Sequence, residues 1–177
     1  ASGATAGQTG IVSFDSTVGD VQGRLINGRA LFWYRVSWTD FLLAAKGTDT
    51  GWQTPAEAVT IAGNAASQYV PHLLYLGNDK LLCSYYVGTT AYCRLSADNG
   101  ATWGAAIAIA APGGTAAPAA SLSRLSSGRI LAALQTSGAW DTNGDIKVYY
   151  SDDDGATWTY LSTVTDAGVY HPHILIL

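Results

Sequence analysis

Ser151-Asp152-Asp153-Asp154-Gly155-Ala156-Thr157-Trp158 occurs almost unchanged 55 residues earlier, as Ser96-Ala97-Asp98-Asn99-Gly100-Ala101-Thr102-Trp103. The shared pattern is S-x-D-x-G-x-T-W, and two copies of it in 177 residues mark a repeat rather than a coincidence. Each copy sits between strand-like runs. Ile146-Lys147-Val148-Tyr149-Tyr150 precedes the second copy and Thr159 to Val164 follows it, both rich in β-branched and aromatic residues. The copy therefore reads as the turn of a β-hairpin. Ser151 and Asp153 have short side chains that fold their oxygens onto backbone N–H groups. Gly155 takes φ > 0 without a Cβ clash. Trp158 carries a large ring to lay over the turn and the neighbouring sheet. All these jobs are structural ones.

The tryptophans give the register of a longer repeat. Trp52 lies 51 residues before Trp103, in Lys46-Gly47-Thr48-Asp49-Thr50-Gly51-Trp52, a shortened copy that keeps an Asp, a Gly and the Trp. A second marker, a polar turn with a basic residue before an apolar strand, recurs as Asn27-Gly28-Arg29, Asn78-Asp79-Lys80 and Ser127-Gly128-Arg129. Its basic residues are 51 and 49 residues apart. A third marker, Tyr69-Val70-Pro71-His72, returns as Tyr170-His171-Pro172-His173, with Ala116-Ala117-Pro118-Ala119 between them keeping only the proline. Each period reads as four strands, in the third unit near 118–125, 129–136, 145–151 and 157–164. Four short antiparallel strands in a unit of roughly 40–50 residues is the arithmetic of a propeller blade. The expectation is an all-β chain with blades at 11–61, 62–110 and 111–165, and a further blade opening at 166–177. The Ala-rich stretch from Gly104 to Ala120 competes with this only weakly, because Pro112, Gly113, Gly114 and Pro118 break it.

S-x-D-x-G-x-T-W resembles the Asp-box, or BNR repeat, of sialidases and related β-propellers. The resemblance rests on Ser96, Asp98, Gly100, Thr102 and Trp103, and on Ser151, Asp153, Gly155, Thr157 and Trp158. It implies a β-propeller of four-stranded antiparallel blades, of which about three are present, half of a six-bladed sialidase-type ring. In that family the Asp-box joins the third and fourth strands of a blade, on the face away from the substrate pocket. Asp98 and Asp153 are therefore structural by the same resemblance. It further implies a carbohydrate ligand, glycosidase chemistry of the exo-sialidase type, no cofactor, and an extracellular or secreted location. The alternative is a non-catalytic structural or protein-binding propeller module, or a half-propeller that assembles into a symmetric ring.

Composition narrows the class. Apolar residues make up 48% and charged residues only 12%, and 20 glycines, six tryptophans and ten tyrosines suit an all-β protein with many tight turns. The net charge of −4 comes without a basic patch, which argues against nucleic acid as a partner. No apolar run reaches the roughly 18 residues of a membrane-spanning helix. No signal peptide is read at the start. The last residues, His171-Pro172-His173-Ile174-Leu175-Ile176-Leu177, read as a strand in search of its neighbours. Either the chain is half of a longer propeller, or a homo-oligomer completes one.

Cys83 and Cys93 flank a hairpin. A three-residue loop at Val87-Gly88-Thr89 places them opposite each other, where they form a cross-strand disulfide in an oxidising compartment or remain two buried free thiols.

Chemistry is expected at the pocket that the resemblance implies, where arginines fork onto a substrate carboxylate and an acid and a nucleophile flank the glycosidic bond. The family's Arg-Ile-Pro motif has no arginine here: Tyr69, Ala116 and Tyr170 occupy the matching positions. The acid/base candidate is Asp141, in the long loop from Gln135 to Asp145, with Trp140 beside it as a sugar-stacking surface; the competing reading is that Asp141 only makes the turn. Trp33, Arg35, Trp38 and Asp40 form a second candidate sugar-binding cluster, against alternating positions of a strand. Tyr69 and Tyr170 complete the substrate-binding candidates. Glu57 is the only glutamate, and it follows the shortened Asp-box on the wrong side for a tyrosine–glutamate pair. His72, His171 and His173 read as inner-strand packing, and no Cys/His cluster has metal-ligand spacing.

Overall fold

The computed structural model describes residues 72–111, 121–135, 145–165, 172 and 174–175 in full, and the backbone alone at 18–26, 29–36, 41–48, 51–52, 59–63 and 120. The chain divides into two compact units, Ala1–Asn64 and Ala65–Leu177. Every described regular element is a β-strand.

In the first unit β1 (Val18–Ile26), β2 (Arg29–Val36) and β3 (Phe41–Thr48) run antiparallel in that order. β3 carries both β4 (Gly51–Trp52) and β5 (Val59–Gly63). The shortened copy of the repeated turn thus closes a small hairpin, with Gly47 opposite Trp52 and Thr48 opposite Gly51.

The second unit holds two four-stranded antiparallel sheets. β6 (His72–Gly77), β7 (Lys80–Val87), β8 (Thr90–Ser96) and β9 (Ile107–Ala110) form one in sequence order. β10 (Ala120–Arg124), β11 (Ile130–Gln135), β12 (Ile146–Ser151) and β13 (Thr159–Val164) form the other. The turns are those the sequence dictates. Asn78 and Asp79 take φ of 49° and 61°, the left-handed pair that matches the twist of a two-residue hairpin. Gly128 takes φ 95° and donates its N–H to Leu125 O at 2.9 Å.

Between these two sheets lies the core of the second unit. Period-2 alternation turns Leu82, Tyr86 and Cys93 toward Ile130, Ala132 and Leu134, all at 1% exposure or less. Leu122, Tyr149 and Trp158 join them from the third sheet. The Tyr86 hydroxyl has no hydrogen-bond partner among the described residues.

Two expectations are corrected here. The β7–β8 turn has two central residues, Gly88 and Thr89, because Val87 pairs with Thr90. Cys83 therefore faces Arg94, and Ser84 faces Cys93. One residue of register moves a side chain to the other face of a sheet, so Cys83 and Cys93 point to opposite faces and stay free and buried. Burial raises both thiols, Cys93 to about 11, which keeps them protonated and inert. The second correction concerns the proline marker. His72 pairs with Ser84, and Ser121 pairs with Ala133. Since Leu81 and Ile130 face the first serines of the two repeated turns, Ser121, not Ala119, is the repeat-equivalent of His72.

Candidate functional site

The two S-x-D-x-G-x-T-W turns fold into the same hydrogen-bond cage. Ser151 Oγ accepts the Gly155 N–H at 2.8 Å and donates to Asp153 Oδ1 at 2.8 Å. Asp153 Oδ1 also accepts the Thr157 N–H at 2.8 Å, and Oδ2 accepts the Thr157 hydroxyl at 2.6 Å. Ser96, Asp98, Gly100 and Thr102 repeat each bond within 0.1 Å, at 2.7, 2.8, 2.8 and 2.5 Å. The unspecified fourth position is explained as well. Asn99 and Asp154 have φ of 59° and 56° before Gly100 and Gly155 at 82° and 89°, a conformation that Asn and Asp tolerate better than other side chains.

The second turn also holds the two sheets together. A Cβ on Gly155 would lie 2.9 Å from Leu82 Cδ1, so the turn backbone rests directly on the second sheet. Trp158 donates its indole N–H to Gly155 O at 3.1 Å and packs on the core. Lys80 Nζ reaches Asp154 Oδ2 at 2.7 Å from the other sheet. Further along the seam, Arg124 donates to Leu76 O, and Leu122 N–H donates to His72 Nδ1 at 3.2 Å. Ser121 repeats the histidine's role one unit later, accepting the Ile174 N–H at 3.1 Å. None of these cross-sheet partners is visible in the sequence, because each pair is separated by about a full repeat or more.

The threonine hydroxyl and N–H, with the serine, hold the Asp98 and Asp153 carboxyls at about 2, below their ordinary 3.8. These oxygens are spent on the turn, and a carboxylate bound in this way is no general acid near neutrality. The depressed value gives the sign of a pH effect. A carboxylate lowered by folding stabilises the chain fully above its unfolded pKa and loses that contribution as pH falls through the folded one. The thermal midpoint is therefore expected to fall between about pH 4 and pH 2. Both carboxylates are exposed, so water screens part of the effect. Asp153→Asn should flatten part of the drop in a melting series across that range; a profile unchanged by the substitution would contradict the assignment.

The connections between the second and third strands leave the sheets at the opposite end. β11 ends at Gln135, paired with Ile146, while Ser151 at the far end of β12 starts the repeated turn. The connection from Gln135 to Ile146 therefore leaves the third sheet at the end away from that turn. In the first unit Arg35 pairs with Leu42, and the β2–β3 connection likewise leaves at the end away from the Thr48–Gly51 hairpin. Trp38, Asp40, Tyr69, Trp140, Asp141 and Tyr170 lie outside the described residues, as do the side chains of Arg35 and Trp33, Glu57, His171 and His173. Among the described residues no group of three His, Cys, Asp or Glu side chains is placed to hold a metal, and no helix is long and apolar enough to cross a membrane.

No family model matches the sequence, and no curated protein matches it either. Solved structures do. A protein of unknown function from Dyadobacter fermentans superposes with a TM-score of 0.62 at 17% identity, over 86% of this chain and 57% of its own. A variant of the NanB sialidase from Streptococcus pneumoniae gives 0.58 at 15% identity, over 81% of this chain and 23% of its own. The α-L-arabinanase of Penicillium chrysogenum, solved with arabinobiose, gives 0.55 at 16% identity, over 90% of this chain and 51% of its own. The chain thus spans from about a quarter to somewhat over half of these proteins. What it shares with them is a fold, the all-β architecture of sialidase-like propellers.

Proposed function

We propose that this chain is a glycan-recognising part of a sialidase-like propeller, with its sugar-binding residues on the connections opposite the Asp-boxes. The observation that supports this reading most is the company the fold keeps: a sialidase and an arabinanase superpose on it with TM-scores of 0.58 and 0.55. The topology agrees, since both candidate connections leave their sheets at the ends away from the repeated turns. In this reading the three sheets are three blades. Trp140 and Trp38 supply flat apolar faces for sugar rings, Arg35 a fork for a carboxylate or vicinal hydroxyls, and Asp40, Tyr69 and Tyr170 hydrogen bonds. Asp141 is the acid that protonates a leaving-group oxygen if the site hydrolyses its ligand.

The absence of the family's arginine at Tyr69, Ala116 and Tyr170, and of any glutamate besides Glu57, favours binding over sialoside cleavage by this chain alone. Calorimetric titration with arabinobiose and with a sialoside, on the wild type and on Trp140→Ala and Asp141→Ala, tests the proposal. Trp140→Ala is expected to weaken binding about tenfold, the equivalent of ~1.4 kcal/mol. Asp141→Ala should remove hydrolysis where the wild type shows it. Affinity that neither substitution changes would remove the proposed site and leave a structural module.

A further inference from the structure

We propose that Asn99 is a latent modification site, in an Asn-Gly peptide that the first repeated turn keeps from converting to aspartate and isoaspartate. Asparagine is among the thermally labile residues, and the conversion needs no partner but water. The Gly100 backbone nitrogen attacks Asn99 Cγ. An N–Cγ bond forms, the Cγ–Nδ2 bond breaks, and ammonia leaves with the Gly100 proton. Water then opens the five-membered imide at either carbonyl. One opening gives aspartate, the other a main chain that runs through the side-chain carbon. Glycine has no Cβ to hinder the attack, so Asn99-Gly100 is the labile peptide of its turn.

The folded turn withholds the nitrogen that has to react. The Gly100 N–H donates to Ser96 Oγ at 2.7 Å, with Ser96 at 1% exposure and Gly100 buried. The proton that must leave is therefore held by the serine, out of reach of water. On the other side the Asn99 N–H donates to Asp79 O at 2.7 Å. The peptide is pinned before and after Asn99, with φ of 59° at Asn99 and 82° at Gly100. Ser96 is itself fixed, since its hydroxyl donates to Asp98 Oδ1 at 2.8 Å and Thr102 holds both oxygens of that carboxylate. Asn99 is only half-buried, so the bond to Ser96, rather than burial of the amide, is the lock. The reactive route runs through an opened turn.

The second turn carries Asp154-Gly155 at the same place, with the Gly155 N–H on Ser151 Oγ at 2.8 Å. There the same imide forms only by loss of water from a carboxyl group, a poorer electrophile than an amide. Lys80 Nζ also ties Asp154 Oδ2 down at 2.7 Å. Of the two full copies, the first is thus the one that ages. Its isoaspartyl product adds a carbon to the main chain between Ser96 and Gly100. The serine-to-glycine bond, which spans four residues, then no longer closes. Hydrolysis of the imide does not return the amide, so a turn that opens and reacts stays altered. The inference needs no ligand and stands apart from glycan binding.

Incubation of the 177-residue chain at mildly alkaline pH, native and in urea, followed by tryptic mass spectrometry, reads the conversion. Asn99 is the only asparagine of the tryptic peptide 95–124, and the other Asn-Gly pairs, Asn27-Gly28 and Asn143-Gly144, fall in different peptides. Asn99 is expected to convert at least about tenfold more slowly in the native chain than in urea. Ser96→Ala removes the acceptor and is expected to speed the native conversion about tenfold, with the rise confined to peptide 95–124. Should that variant fail to fold, Thr102→Val, which removes one bond to Asp98, is expected to speed it about threefold. Equal native and urea rates at Asn99 overturn the proposal. So does a native rate that the folded variant leaves unchanged, or a rise that Asn27 and Asn143 share in equal measure, which reports unfolding of the whole chain.

Discussion

Gly155→Ala is expected to destabilise the chain by about 2–5 kcal/mol, from two separable causes. The first is backbone conformation: Gly155 has φ +89°, where a Cβ costs about 1–2 kcal/mol. The second is space. The new Cβ would lie 2.9 Å from Leu82 Cδ1 and 3.1 Å from Cδ2, and Leu82 is at 0% exposure with no room to retreat. Forcing a methyl into a packed interior costs about 1–3 kcal/mol more. Gly77 isolates the first cause: its φ is +87°, and no described atom lies within 4 Å of the place a Cβ would take. Gly77→Ala should therefore lose only the backbone share. Leu82→Ala alone is expected to cost about 2–5 kcal/mol as a buried leucine truncation. Combined with Gly155→Ala it opens the space the methyl needs, so the double variant should cost at least about 0.5 kcal/mol less than the sum of the two. Urea unfolding of the four variants reads all of this. A Gly155→Ala loss no greater than that of Gly77→Ala would show that the turn does not rest on Leu82.

This contact marks the boundary of what the amino-acid order reveals. The local chemistry of S-x-D-x-G-x-T-W points to its own turn, because serine, aspartate and threonine are bonded to groups at most four residues away. The four strands of the second and third sheets follow from the same turns, the first sheet having five, and the third sheet runs over Ala120–Arg124, Ile130–Gln135, Ile146–Ser151 and Thr159–Val164, inside the expected limits. Leu82 looks like any core leucine until the sheets are stacked, since nothing near it announces a glycine 73 residues later. Lys80 and Asp154, 74 residues apart, are hidden in the same way.

Parity is a different difficulty. Whether Cys83 and Cys93 meet depends on one residue in the loop between β7 and β8, and both loop lengths suit Val87-Gly88-Thr89 by composition. The pairing Val87 to Thr90 decides it. The proline marker misled by two residues for a related reason. Pro118 precedes its strand in the sequence, and the position that accepts a backbone N–H from about 50 residues later is set by the register of β10 on β11, where Ser121 faces Ala133. The β2–β3 and β11–β12 connections, which contain Trp38, Asp40, Trp140 and Asp141 in the sequence, leave their sheets at the ends away from the repeated turns, and these residues, like Tyr69 and Tyr170, lie outside the described residues.

Ser151→Ala is expected to cost about 1–3 kcal/mol, although it removes a single oxygen. Ser151 is 1% exposed. Its hydroxyl accepts the Gly155 N–H at 2.8 Å and the Asp153 N–H at 3.4 Å while donating to the Asp153 carboxylate. Alanine leaves the Gly155 N–H without its acceptor at a position the second sheet covers, and a buried donor left unpaired loses its full hydration. The loss spreads along the turn. Asp153 is oriented toward Thr157 partly by the serine, and Asp154, which meets Lys80, follows it directly. Ser96→Ala should behave alike, because its bond to the Gly100 N–H is 2.7 Å and Ser96 is also 1% exposed. Ser162, exposed on β13, is the control, and its alanine variant should stay within about 0.5 kcal/mol of wild type. Denaturant titration of the three single variants orders them. A Ser151→Ala loss as small as that of Ser162→Ala would mean that water reaches the Gly155 N–H, so that the turn is held to the second sheet by the Leu82 contact, Trp158 and the Lys80–Asp154 pair, and the serine serves only to shape it.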